Sequence, residues 1–318
     1  MKSKLVLLLY ITLHLCAQGA WAQVPDGSDM HLPRTPFRLQ SRAEVQLPPA
    51  VDNSTRKFFP PILDQMGGSC AQASGIGYMF TYEINRLLDR DAHASADHRF
   101  SYQFSWNLLN DGQDQGDFVD QGLYLSERYG IMTEQDYGIS GTYQFKWATG
   151  YNKYYKALQY RTQEVLTFAD SIPLMKRWLY DAGDGSAVGG VLTFSAMSRG
   201  WDIDDDYQGP SLTGYRSLLK SLATDGAHAL TIAGYDDTVV YTDEQGTPHT
   251  GAFIVVNSWG THSHDRGRFY LPYDFFRDAR VPEQQLGSTV EAIRVRIHRP
   301  LVVFRLALDF SSRNDLSF

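Results

Sequence analysis

Cys70, His228 and Asn257 are the residue types of a nucleophile, a general base and an orienting amide, in that order along the chain. Cys70 closes the run Asp64-Gln-Met-Gly-Gly-Ser-Cys70 and opens a helical pattern. Ser69 and Gln72 have the Ser-x-x-Gln spacing of a capping box, which makes Ser69 the N-cap and Cys70 the first helical residue. Unpaired N–H groups and the helix dipole favour an anion there, so the thiol pKa is expected to fall. His228 begins an expected strand in Gly226-Ala-His-Ala-Leu-Thr-Ile-Ala-Gly-Tyr-Asp236, and Asn257 ends the next one in Phe253-Ile-Val-Val-Asn-Ser-Trp-Gly260. Together they suit a thiolate attack with an imidazole that holds and returns the proton. Each alone also suits a structural role: a small buried hydrophobe, a satisfied strand histidine, a turn cap.

The surroundings bear on why that cysteine is kept. Residues 1–22 read as a secretory leader, with Lys2 and Lys4, the apolar run Leu5–Leu15 and Ala20-Trp-Ala22 before a cut. Cys16 leaves with that leader, and Leu15 before it is too bulky for a lipoprotein cleavage site. Cys70 is then a lone thiol in an exported chain, where cysteines are usually paired. The apolar run is too short for a membrane anchor. A net charge of −7 argues against a nucleic-acid partner. The acidic run Trp201-Asp-Ile-Asp-Asp-Asp-Tyr207 lacks the glycine and closing glutamate of a calcium loop and reads as a solvated surface loop, so no metal is expected.

The elements that must position these residues change character along the chain. Residues 23–46 read as a flexible arm or short pro-segment. Ile76, Met79, Phe80, Ile84, Leu87 and Leu88 predict one apolar helix face after Cys70. Further helices are expected at Tyr102–Leu109, about 117–129 with a stop at Gly130, and about 172–182. Strands are expected at 187–195, 227–235, 238–242, 252–258, 268–271, 291–297 and 301–308, with Asp236-Asp237 and Asp243–Gly246 as turns. Helices first and strands later make an α+β chain of two packed lobes, about 47–165 and 166–298, followed by a strand and tail at 299–318.

These segments resemble the papain-like cysteine peptidase family over about residues 47–298. Leu47-Pro-Pro-Ala-Val-Asp52 resembles the family's domain entry, Gln65 with Gly-Ser-Cys70 its nucleophile segment, and the His228 strand its histidine segment. Asn257-Ser-Trp-Gly260 matches the asparagine motif, continued by Gly267-Arg-Phe-Tyr-Leu271. Gly122–Tyr137 resembles the stretch beyond the substrate-cleft loop. The 158 residues from Cys70 to His228 exceed the usual spacing of about 130–150, so the chain carries insertions. Ala71 stands where the family has an aromatic, the upstream cysteine is absent, and the Gln65–Cys70 gap is one residue short.

The resemblance implies a papain-like two-lobe fold with a helical N-terminal lobe, a β-barrel-like C-terminal lobe and the site in the cleft between them. Cys70 would be the nucleophile, His228 its acid/base partner and Asn257 the holder of the ring. Trp259 would shield that hydrogen bond, and Gln65 would donate to the oxyanion beside the Cys70 N–H. Gly116 and Ala227 would line the substrate cleft. The implied activity is a secreted cysteine-type peptidase acting through a thioester, as a monomer on peptide or protein substrates, without a cofactor. The alternatives are an inactive peptide-binding module and acyl transfer to an amine. Residues 23–46 are too short for the family's usual inhibitory prodomain.

Overall fold

Neighbouring residues along the strands face opposite ways, and here each side meets a different apolar core. Leu166, Ile232, Val255 and Ala292 enter one core, while Val165, Ala233, Val256 and Ile293 enter the other. The sheet therefore separates two apolar cores, one on each face. The computed structural model describes residues 30–39, 45–110, 113–138, 148–169, 171–243, 246–277, 285–287, 289–300 and 302. The leader, half of the arm and nearly all of the expected 301–308 strand lie outside these.

The strands are β1 (Arg34–Pro36), β2 (Ala50–Asp52), β3 (Tyr160–Thr167), β4 (Leu192–Met197), β5 (Asp202–Asp204), β6 (Leu218–Ser221), β7 (Ala227–Thr242), β8 (Pro248–Val256), β9 (Arg268–Pro272) and β10 (Glu291–Ile297). They form one sheet in the order β1-β3-β10-β4-β7-β8-β9-β6-β5, with β2 added to β7. β10 and the helices at Tyr102–Leu109 and Ile172–Asp181 lie where the sequence predicts. The helix expected over 117–129 runs Val119–Arg128, and Gly130 follows at φ +70°.

Several expectations are corrected. The expected break at Asp236-Asp237 is absent, and β7 runs through it with an irregularity in its pairing to β8. The strand expected at 187–195 is Leu192–Met197. β1, β2, β3, β5 and β6 were not expected; over 201–207 Asp202, Asp205 and Asp206 are exposed as read, while β5 and the packing of Trp201 are additions to that surface stretch.

The helix that starts at Cys70 is α-helical over Cys70–Gln72, π-helical over Ala73–Phe80 and α-helical again over Thr81–Leu88. It has no single apolar face. Residues 71–85 are all buried, because the helix runs between β4 and β7 on one side and two helices on the other. Leu87 and Leu88, expected in the core, lie beyond that cover and are exposed. Ser74 in this helix ties to the sheet through Thr193, Thr231 and the Leu230 carbonyl, which fixes Cys70 relative to β4 and β7. Among the described residues, no helix is long and apolar enough to cross a membrane.

Candidate active site

His228 is the second residue of β7, and Asn257 directly follows β8, its antiparallel neighbour. That pairing carries the ring and the amide to one point. His228 Nε2 lies 2.8 Å from Asn257 Oδ1. The Ser258 N–H also donates to that oxygen at 2.8 Å, so Oδ1 is the acceptor and the amide cannot be reversed. The hydrogen-bond network therefore assigns the proton to His228 Nε2. Nδ1 of the neutral ring is left with its lone pair, the form needed to accept a proton. Asn257 is fully buried and His228 nearly so.

Trp259 stacks on the His228 ring at 4.6 Å between centroids and 25° between planes. Trp201, which the sequence reading left on the surface, packs on Trp259 at 5.4 Å and reaches His228 edge-on. Its signal was present in the sequence: a tryptophan heading an acidic run is a poor surface residue.

Cys70 is half-buried at the start of its helix. The structure ties His228 to Asn257, whereas the polar group it brings to the Cys70 sulfur from β7 is the N–H of Ala229, next to His228. Burial is the largest influence on the thiol and pushes its pKa up; the Ala229 N–H opposes this, and the nearby Asp117 carboxyl reinforces it. The expected fall is thus overturned, because desolvation outweighs the helix terminus. The capping box does not form either. Ser69 is the N-cap, but its hydroxyl donates to the Met66 carbonyl, and Gln72 Nε2 donates to Asp117 and to the Phe118 carbonyl. Burial also pushes the Asp117 carboxyl up to about 7, against the bonds from Gln72 and Asn110.

Gln65 is held by the asparagine loop. Its N–H donates to the Ser258 carbonyl at 2.7 Å, and the Ser258 hydroxyl donates to its Oε1 at 2.5 Å. Its Nε2 donates to the Gly67 carbonyl at 3.1 Å, so the amino end faces the turn before Cys70 and keeps a second N–H. That turn needs Gly67: φ is +54°, and a Cβ there would lie 2.2 Å from Asp114 Oδ1. Tyr78, from the helix of Cys70, accepts from the Leu63 N–H and donates to the Asn257 carbonyl, joining both loops to that helix. Ser258 and Tyr78 were not predicted; only their tertiary partners give them roles. Gly116 is exposed beside Gly68, and Ala227 is exposed at the start of β7 opposite Met197.

Burial pushes the His228 imidazole down to about 4, with the Asn257 bond opposing. A raised thiol and a lowered imidazole make a pair that rests uncharged at neutral pH. Alkylation of Cys70 by iodoacetamide is expected to be slow at about pH 5–6 and to climb as pH rises past the ordinary thiol value of 9.0. Fast, pH-independent alkylation at about pH 5–6 would instead report a thiolate–imidazolium pair.

Comparison with known proteins bears on the whole arrangement. The sequence matches no family model and no curated protein. Solved structures do match. Xylellain, a cysteine protease from Xylella fastidiosa, superposes with a TM-score of 0.56 at 18% identity, over 83% of this chain and 91% of that one. The proform of the Amb a 11 cysteine protease, a ragweed pollen allergen, gives 0.51 at 15% identity, over 81% and 69%. Digestive procathepsin L2 proteinase from Tenebrio molitor larval midgut gives 0.53 at 14% identity, over 84% and 75%. The chain has the α+β fold of papain-like cysteine proteases.

Proposed function

We propose that the chain is a cysteine-type peptidase that cleaves peptide bonds with Cys70, His228 and Asn257. The observation that carries this reading is the His228–Asn257 hydrogen bond with its proton on Nε2. It leaves Nδ1 as the basic nitrogen, on the β7 segment whose next residue reaches the Cys70 sulfur. His228 Nδ1 takes the thiol proton as the sulfur attacks the substrate carbonyl. The oxyanion is held by the Cys70 N–H and the remaining Gln65 N–H. The imidazolium then protonates the leaving amine, which departs and leaves a thioester. Water, deprotonated by the same nitrogen, releases the acyl group and restores the thiol. Asn257 keeps the ring in its tautomer and Trp259 covers that bond. Gly116 and Ala227 are proposed to meet the substrate backbone.

The rise in the thiol pKa does not oppose this sequence, since a neutral pair reacts by general-base removal of the proton. The leader-like composition of residues 1–22 supports export, and the chain is proposed to act as a monomer.

The test is digestion of a mixed peptide library by the wild type and by Cys70→Ala, read by mass spectrometry. The wild type is expected to cut and the variant to leave every peptide intact. An added amine nucleophile separates hydrolysis from acyl transfer, which would yield amine-capped products. An intact library with the folded wild type would remove the reading and favour a peptide-binding module.

A further inference from the structure

A cavity of about 200 Å³ is lined by residues whose neighbours in the fold meet the Cys70 segment. Ser195 lines it and pairs across the sheet with Ala229, whose N–H reaches the sulfur. Phe118 lines it too, and its carbonyl is held by Gln72, two residues beyond Cys70. The remaining wall carries two carboxylates, Asp120 and Glu291, whose side chains are only 9% and 7% exposed. Two buried carboxylates side by side demand a cation, because each is costly to desolvate and they repel one another.

The cation present is the chain's own. Arg34 Nε donates to Glu291 Oε1 and Nη2 donates to Asp120 Oδ2 at 2.9 Å, so the planar guanidinium fork spans both carboxylates. His31 Nδ1 lies against the same Asp120 oxygen. Besides these ion pairs, the segment that carries Arg34 is held by pairing of β1 with β3 and by Leu32 against one core. β1 is three exposed residues on the edge of the sheet, secured by Phe37 in the core beside Phe168 and Trp178. The Arg34 side chain itself remains 42% exposed, at the mouth of the cavity. A segment too short for a globular inhibitory prodomain is long enough to insert one side chain.

We propose that this cavity recognises a cationic side chain of the substrate, arginine above lysine, and that Arg34 is its resident stand-in, holding the pocket shut until the N-terminal segment is displaced. This inference rests on the peptidase reading for its consequence and on Asp120 and Glu291 for its chemistry.

Two readouts separate those supports. The first is binding without hydrolysis, in the full chain carrying Cys70→Ala. N-acetyl-arginine amide is expected to raise the melting temperature of the Arg34→Ala version by about 2–4 °C at saturation. It should leave the version with Arg34 intact unchanged, and Glu291→Gln should abolish the rise. No rise in a natively folded Arg34→Ala protein overturns the proposal.

The second readout is hydrolysis of fluorogenic peptides that differ only by arginine or norleucine at each position before the scissile bond. Arg34→Ala is expected to raise kcat/KM for the arginine peptide at least about tenfold more than for its norleucine partner. Equal gains overturn the proposal. Cleavage of no peptide, with N-acetyl-arginine amide still bound, supports the pocket and removes the peptidase reading alone. If Arg34→Ala misfolds, Arg34→Lys keeps the charge but loses the planar fork, and the same ranking is expected at smaller size.

Discussion

Replacing His228 by alanine is expected to lower kcat by about 10⁵-fold or more while leaving the melting curve near that of the wild type. In the proposed mechanism one nitrogen, Nδ1, handles four proton transfers: from the thiol, to the leaving amine, from the attacking water and back to the departing sulfur. A cysteine usually compensates for a lost base by ionising alone. Here burial holds the thiol proton on, so that escape is closed at neutral pH. Asn257→Ala is expected to cost less. The base survives, and what is lost is the bond that fixes its proton on Nε2. Asn257→Asp gives a sharper sign. The wild-type imidazole, held down to about 4, is neutral and competent at every pH above that value, so the acid limb of kcat/KM should fall near pH 4. A carboxylate 2.8 Å from Nε2 stabilises the imidazolium, so the acid limb of the variant moves to higher pH. A full pH–rate profile of the wild type and the three variants checks this. An unmoved acid limb in Asn257→Asp, or substantial activity in His228→Ala, would detach His228 from the chemistry.

The sequence carried the local signals for this site but not the tertiary ones. The segments around Cys70, His228 and Asn257 were legible because each is a contiguous word with a turn or a strand edge written into it. The thiol pKa was misread because a helix terminus is visible in sequence and desolvation is not. β3 escaped notice because Tyr160-Arg-Thr-Gln-Glu-Val-Leu-Thr167 has no clean alternation; its buried Thr162 is satisfied by Ser126, 36 residues away. The break read at Asp236-Asp237 fails for a similar reason. Asp236 is fully buried within β7, and its carboxylate is met by N–H groups of Leu212, Thr213 and Thr238. An aspartate pair signals a turn only when no distant loop arrives to satisfy it. Arg34 lies in the same blind spot: a residue in a polar arm, given its role by a surface remote in sequence.

The largest loss of stability is expected away from the site, at Arg86. Its guanidinium grips Glu83 Oε2 through Nε at 2.9 Å and Nη2 at 2.7 Å, one turn along the central helix. Glu83 is 1% exposed, and its other oxygen accepts from the Val191 N–H at the entry to β4. Burial pushes the Glu83 carboxyl up, and Arg86 is what opposes it. Arg86→Met removes the partner and strands the charge, at a cost of about 3–5 kcal/mol at neutral pH. The sign of the pH dependence follows. With the guanidinium gone, the folded-state pKa of Glu83 rises further above its unfolded value, so the folded protein binds the extra proton. The deficit of Arg86→Met is therefore greatest at alkaline pH and shrinks as the pH falls through that raised value, because protonation discharges the stranded group. Urea melts across the pH range, compared with those of the wild type, would display the convergence. Glu83→Leu combined with Arg86→Met removes both charges and should recover most of the loss, since an apolar pair of similar volume commonly replaces a buried ion pair at little net cost. A double variant as unstable as Arg86→Met alone would show that the central helix depends on the Val191 hydrogen bond rather than on charge balance.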